Sequence, residues 1–120
     1  PNAWALGSVM ADDVISRLAG IIRERRQSAP DASYTRQLLD AGPTKAAKKL
    51  GEEATETIIA ALAESDERLA NEAADLIYHL LVLLESRNVP LADVLSELER
   101  RFSMSGVAEK AQRNPSKPPV

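Results

Sequence analysis

The sequence lacks cysteine entirely, has one histidine and carries no excess of basic charge. Without cysteine, disulfides, thiolate nucleophiles and thiolate zinc sites are excluded, and the composition is typical of a reducing cytosol. The 120-residue chain has a net charge of −3 and a pI near 5.2, so no positive field attracts nucleic acid or an anionic membrane. Its longest apolar run, residues 76–84, includes His79 and is too short to cross a bilayer. Composition therefore indicates a soluble, cytoplasmic protein that binds neither nucleic acid nor membrane.

Strand signals are almost absent, and apolar residues recur at helical spacing along most of the chain. The predicted fold class is all-α, an antiparallel bundle of four to five helices. The two longest predicted helices after the first are joined by a short turn, so we expect a helical hairpin at the centre. Caps and turn signals place the helices at Asp12 or Asp13 to Arg26, Ser33 to Leu39, Thr44 to Ala63, Glu67 to Ser86 and Leu91 to Phe102.

Domain organisation is predicted to be simple, with one helical domain over residues 11–113. Residues 1–10 are expected to be disordered, or to be an addition ahead of a natural start at Met10. Residues 114–120 contain three prolines and are expected to form a disordered tail. The helix over residues 67–86 is apolar nearly all round from Leu76 to Leu84. One protomer has too few helices to cover it, so we expect a dimer to complete the bundle.

Acidic residues share one face of each of two predicted helices. Glu52, Glu53 and Glu56 lie within about one turn, and Glu72 and Asp75 lie three residues apart. Most charge runs on helices are solvated, but these two faces continue into apolar residues, which predicts carboxylates at the mouth of a buried interior. Crowded carboxylates repel one another and are costly to desolvate, so a cation is expected. Oxygen ligands favour Mg²⁺, with Mn²⁺ as a substitute, in a phosphate-transfer site.

The same segments resemble a known family. They read KLGEEATE over residues 49–56 and NEAADLIYHLLVLL over residues 71–84, and contain the pair E-E-x-x-E and E-x-x-D. That pair is the signature of the all-α NTP pyrophosphatases, which include the MazG-like enzymes. Together with Ser33-Tyr34-Thr35 and the LERRF ending of the last helix, the segments resemble the phosphoribosyl-ATP pyrophosphohydrolases of histidine biosynthesis. The resemblance covers about residues 13–113.

This resemblance implies magnesium-dependent hydrolysis of the α–β phosphoanhydride of phosphoribosyl-ATP, which yields phosphoribosyl-AMP and pyrophosphate. It also implies a homodimer, with association beyond the dimer left open. The metal ligands that it implies are Glu53, Glu56, Glu72 and Asp75. Glu56 is also assigned a catalytic role, and Glu52 either completes the metal shell or acts as general base.

Substrate-binding residues are also implied by the resemblance, and they are Lys49, Lys45, Tyr34 and Thr35. For the last two, packing and capping of the short helix is an equal alternative. Lys48 is interpreted as a solvated lysine. His79 lies among leucines and is interpreted as a hydrogen-bonded core histidine rather than a ligand-binding residue.

Three other functions match parts of the pattern. A house-cleaning pyrophosphatase acting on dUTP, dCTP or damaged nucleotides shares the metal motif, and only the Ser-Tyr-Thr and Tyr-His segments argue against it. A carboxylate-bridged di-iron bundle requires Glu-x-x-His on two helices, whereas this chain has a single histidine. A non-catalytic dimeric scaffold would leave the acidic residues as an unexplained energetic cost.

Overall fold

The computed structural model describes the backbone of residues 3–102 and 113, and the side chains of residues 14–102 and 113. Over these residues the regular structure is entirely helical, which confirms the all-α prediction. The predicted tail, residues 114–120, lies outside the described residues, and the domain boundaries remain predictions. The five α-helices are α1 (Ala3–Glu24), α2 (Tyr34–Ala41), α3 (Pro43–Ala63), α4 (Asp66–Ser86) and α5 (Leu91–Phe102), with short 3-10 helices at Arg25–Gln27 and Pro30–Ala32.

Helices α2 to α5 begin and end within two residues of their predicted limits, whereas α1 does not. It begins at Ala3, so the predicted start at Asp12 or Asp13 is wrong. Residues 3–11 contain three alanines, a leucine and a methionine and no proline, and Gly7 alone is not enough to end the helix. Aspartate favours a cap, but it also tolerates the interior of a helix that is already continuous.

Serine caps define where α2 and α4 begin. The hydroxyl oxygen of Ser33 accepts the backbone N–H of Arg36 at 3.1 Å, and that of Ser65 accepts the N–H of Arg68 at 3.2 Å. Gly42 alone separates α2 from α3, with φ at 89° and ψ at 179°. This backbone conformation is accessible essentially to glycine only. The tight link fixes α2 at the start of α3.

Helices α1 to α4 belong to one compact unit, and α5 belongs to a second that begins at Pro90. Within the first unit α3 and α4 are antiparallel, because Glu64 and Ser65 alone separate them and the Thr57 hydroxyl donates to the Glu72 carbonyl at 3.1 Å. Helices α1 and α2 pack against this hairpin. The buried apolar residues are Ile22, Leu38, Leu39, Ala46, Ala60, Leu81 and Val82.

Several apolar side chains of the hairpin are left exposed by the described part of the chain. Ile77 and Leu80 of α4 are each 40% exposed, as expected of a helix that one protomer has too few helices to cover. On α3 the apolar continuation of the acidic face is exposed at Ile59 as well. The reason is that α1 and α2 cover only part of the hairpin. None of the helices within residues 3–102 is long and apolar enough to cross a membrane.

Candidate metal and substrate site

Three of the four predicted metal ligands come together across the α3–α4 hairpin. Glu53, Glu56 and Glu72 each place one carboxylate oxygen within 4.8 Å of the other two. Glu53 and Glu56 are one turn apart on α3, and the antiparallel return of α4 brings Glu72 opposite them. Glu72 is buried, Glu53 is half-buried and Glu56 is exposed, so this carboxylate triad lies at the edge of the core. An ion there remains accessible from solvent.

Two oxygens of the triad have no partner within the described part of the chain. The Oε2 atoms of Glu53 and Glu72 are buried and accept no hydrogen bond. Buried polar atoms are almost always satisfied in folded proteins, so each exception needs an explanation. Three carboxylates offer hard oxygen ligands of the kind that Mg²⁺ and Mn²⁺ prefer. The residues present therefore fit a divalent cation.

The electrostatics of Glu72 also favour a positive ion. Burial raises the pKa of its carboxyl group. The neighbouring Glu56 raises that pKa further, through its charge and through the hydrogen bond that the two groups form when Glu72 is protonated. The charge of Asp75 acts in the same direction, and Arg68 opposes it. Without a cation, Glu72 therefore retains its proton to a higher pH than an isolated glutamate.

The fourth predicted ligand, Asp75, is exposed and does not belong to the triad. Its charge nevertheless acts on Glu72, so it is close to the site. The roles of these acids as metal ligands remain predictions. What the structure provides is a preformed group of three, with a fourth carboxylate beside it.

Glu52 lies with the lysines of α3 rather than with the triad. Its Oε2 atom is 3.1 Å from Nζ of Lys49, and this hydrogen bond lowers the pKa of Glu52 and raises that of Lys49. The charges of Lys48 and Lys45 lower the pKa of Glu52 further. Both of those lysines are exposed, which agrees with the interpretation of Lys48 as a solvated residue. Glu52 therefore remains ionised beside a small group of ammonium groups.

The first turn of α2 packs against α4 through two hydrogen bonds. The Tyr34 hydroxyl is 3.5 Å from Nε2 of His79, and Oγ1 of Thr35 is 2.5 Å from the Tyr78 hydroxyl. His79 is only 6% exposed, and its Nδ1 atom is 2.8 Å from the carbonyl oxygen of Asp75, as expected of a hydrogen-bonded core histidine. Thr35 bonds to Tyr78, which agrees with the alternative that Thr35 has a packing role and does not bind substrate. Tyr34 is half exposed and can contact a ligand.

Arg68 was not predicted as part of the site. Its Nη2 atom is 2.7 Å from Oε1 of Glu72, and its Nε atom is 3.3 Å from Oε1 of Glu64. The signal was present in the sequence, because Arg68 lies four residues from each of these glutamates, the spacing of helical ion pairs. Nothing in that spacing shows that one of the two carboxylates is buried. The structure thus adds the guanidinium group of Arg68 to the site, where it donates a hydrogen bond to Oε1 of Glu72.

Comparison with known proteins identifies the family. The model described as "Phosphoribosyl-ATP pyrophosphohydrolase" matches residues 15–102. The chain belongs to this family. A protein of Rhizobium meliloti named phosphoribosyl-ATP pyrophosphatase is 55% identical over 104 residues, which are 87% of this chain and 97% of that protein. Proteins of the same name from Agrobacterium fabrum and Novosphingobium aromaticivorans are 54% and 53% identical, over 82% and 85% of this chain and 92% and 95% of theirs.

Membership of the phosphoribosyl-ATP pyrophosphohydrolases confirms the resemblance inferred from the sequence. The matched region includes helices α2 to α5 and the second part of α1, so every predicted site residue lies within it. Enzymes of this family typically need a metal ion, and the carboxylate triad is the acidic cluster that can hold one here.

Proposed function

We propose that the protein hydrolyses phosphoribosyl-ATP to phosphoribosyl-AMP and pyrophosphate, the second step of histidine biosynthesis, with Mg²⁺ as its ion. The family match supports the substrate. The observation that carries the chemistry is the carboxylate triad, in which two buried oxygens have no partner among the described residues. Both point to phosphoanhydride hydrolysis assisted by a cation, and not to a scaffold.

Glu53, Glu56 and Glu72 would hold the ion, and Asp75 would complete the ligand set. Mg²⁺, or Mn²⁺ as a substitute, neutralises charge on phosphate oxygens and lowers the pKa of bound water. Arg68 keeps Glu72 aligned through its 2.7 Å hydrogen bond. It also supplies a positive charge beside the triad, where the substrate brings several negative charges.

The chain's own lysines would bind the phosphate groups of the substrate. Lys45 and Lys49 are one turn apart on α3, and Glu52 follows on the same stripe. A phosphate that binds Lys49 competes with Glu52 for the ammonium group. Since the bond to Lys49 is the main reason for the lowered pKa of Glu52, its loss raises the basicity of Glu52. Substrate binding would thus turn Glu52 into a better general base for the attacking water.

We also propose that the protein is a homodimer. The exposed apolar side chains of the hairpin support this, since water contacts are costly for Ile59, Ile77 and Leu80. A cytoplasmic location is proposed because a chain without cysteine is typical of a reducing compartment. Sedimentation equilibrium tests the dimer, and a monomer at micromolar concentration would refute it.

Pyrophosphate release from phosphoribosyl-ATP, measured beside a panel of canonical and modified nucleotides, tests the proposed activity. We expect turnover only with a divalent cation and fastest with phosphoribosyl-ATP. Faster turnover of any deoxynucleotide would instead favour the house-cleaning function.

A Glu56→Gln variant tests the site itself, since it should lose hydrolysis while its unfolding transition stays cooperative. Its matched control is Glu67→Gln, which removes an equal charge from an exposed position of α4. Full activity in the Glu56 variant would remove this residue from the site.

A further inference from the structure

The two ring nitrogens of His79 have different partners. Nδ1 is 2.8 Å from the backbone carbonyl oxygen of Asp75. A carbonyl oxygen can only accept, so in the neutral ring the proton resides on Nδ1 and Nε2 carries a lone pair. The side chain is 6% exposed, so the protein rather than bulk water sets this tautomer. Nε2 of His79 is therefore a hydrogen-bond acceptor.

The partner of Nε2 is the hydroxyl group of Tyr34, at 3.5 Å. With a lone pair on Nε2, the phenol is the donor in this hydrogen bond, and its proton is directed toward the histidine. The oxygen of Tyr34 retains lone pairs for another contact. Because Tyr34 is 50% exposed, this contact can be made by a molecule arriving from solvent.

The position of Tyr34 is fixed relative to the proposed substrate site. Its ring is edge-on to His79, with 6.3 Å between the ring centroids. The next residue, Thr35, is bonded to Tyr78, so the first turn of α2 is held at two successive positions on α4. Tyr34 is also close to Lys49, because the ionised form of its phenol would raise the pKa of the ammonium group. Tyr34 thus lies beside the lysines proposed to bind phosphate.

We propose that His79 is a positioning residue that binds the Tyr34 proton, so that Tyr34 accepts a hydrogen bond from a hydroxyl or amino group of the substrate. Phosphate oxygens have no proton to donate to it at neutral pH and are left to the lysines and the ion. Tyr34 would then recognise the ribose or base part of the nucleotide and not its phosphate chain. This inference rests on the proposed function, which supplies the substrate.

Steady-state kinetics with phosphoribosyl-ATP test the role of Tyr34. Tyr34→Phe removes the accepting oxygen alone and should raise KM about 3- to 10-fold, the value of one hydrogen bond, with kcat within about 2-fold. An analogue that lacks the recognised hydroxyl or amino group should show no such penalty, and so identify the group. If the wild-type protein is active and the Tyr34 variant has a normal KM, the role of Tyr34 is refuted and the proposed function stands. If the wild-type protein does not hydrolyse phosphoribosyl-ATP, both proposals are refuted.

Two substitutions of His79 separate positioning from packing. Glutamine can present an accepting oxygen near the place of Nε2, whereas leucine cannot. His79→Gln should therefore retain a lower KM than His79→Leu, and Tyr34→Phe should raise KM less in the leucine variant than in the wild-type protein. Additive effects of the two changes would contradict the coupling.

Nitrogen NMR of the wild-type protein gives a test that no folding defect can obscure. The chain has one histidine, so labelling with ¹⁵N-histidine yields two ring resonances of a single residue. In the neutral ring we expect the proton on Nδ1 and none on Nε2. A protonated Nε2 would overturn the inference, because Tyr34 would then be free to donate its own proton to a phosphate.

Discussion

Replacing Glu53 with glutamine should stabilise the metal-free protein and abolish its response to Mg²⁺. Oε2 of Glu53 is buried without a partner, and carboxylate oxygens of Glu56 and Glu72 lie within 4.8 Å. Glutamine has nearly the same shape, but it carries no charge and its amide can donate to either neighbour. The substitution therefore relieves repulsion in the metal-free state and removes one ligand from the metal-bound state.

General energetic values give the size of both effects. A buried polar atom without a partner costs roughly 1–3 kcal/mol, so Glu53→Gln is expected to gain about 1 kcal/mol in the free energy of unfolding. In a domain of this size that gain raises Tm by roughly 4 °C. For the wild-type protein, Mg²⁺ at about 100 times its Kd adds about 2.7 kcal/mol, or roughly 10 °C. This second increment should be absent from the variant.

Thermal unfolding in EDTA and across a Mg²⁺ titration measures both effects, at one protein concentration. Glu67→Gln is the control, because it removes the same charge from an exposed position of α4 and should keep the full Mg²⁺ response. A Glu53→Gln protein that is less stable in EDTA would refute the idea of a strained triad. One that retains the wild-type Mg²⁺ shift would remove Glu53 from the ligand set.

Three further predictions concern pH and packing. Because the pKa of Glu72 is raised, Mg²⁺ must displace its proton, so affinity should fall as the pH falls through that pKa, with proton release measurable by calorimetry in two buffers. Two arginines of α5 lower the pKa of Glu97 from 4.5 to about 2, so its contribution to stability is complete above 4.5 and is lost as the pH falls toward 2. Glu97→Gln should reduce this acid-induced loss of helicity in circular dichroism. Thr35→Val leaves the Tyr78 hydroxyl without its partner and should cost about 1–2 kcal/mol in urea unfolding.

Each of these has a clear contrary result. Mg²⁺ affinity independent of pH would show that Glu72 is already ionised in the metal-free protein. An unchanged acid transition in the Glu97 variant would show that its ion pairs do not stabilise α5. Full stability of the Thr35 variant would show that water replaces the threonine hydroxyl.

Local signals were sufficient for most helix limits, because a cap such as Ser33 or Ser65 acts within its own turn. They failed for α1, where Asp12 could cap a helix or continue one and only the preceding residues decide. The carboxylates were predictable as a set, since Glu52 and Glu53 are both within about 60° of Glu56 around the helix axis. Whether Glu52 or Glu53 points toward α4 depends on how the two helices are rotated against each other. This rotation is a property of the tertiary structure.

Other features also lay beyond local reasoning. Glu72, one partner of Arg68, is buried because of the packing between the two helices of the hairpin. A spacing of four residues along one helix does not reveal that packing. The exposure of Ile77 and Leu80 depends on where α1 and α2 pack. The apolar pattern and the small number of helices predict that a second chain covers part of this surface, but they do not identify which side chains stay exposed within one protomer.

Because Gly42 alone links α2 to α3, the distance between the site residues of these two helices is difficult to increase. Gly42 joins α2, which carries Tyr34, to α3, which carries Lys49 and Glu53. A Cβ atom at this position would meet no other atom within 4 Å, so the penalty for any other residue is purely torsional, of order 1–3 kcal/mol. The distance between Tyr34 and the carboxylate triad is therefore largely set by the backbone. Altered substrate preference would have to be engineered by changing side chains on the two helices, because a larger nucleotide cannot be accommodated by loosening the joint between them.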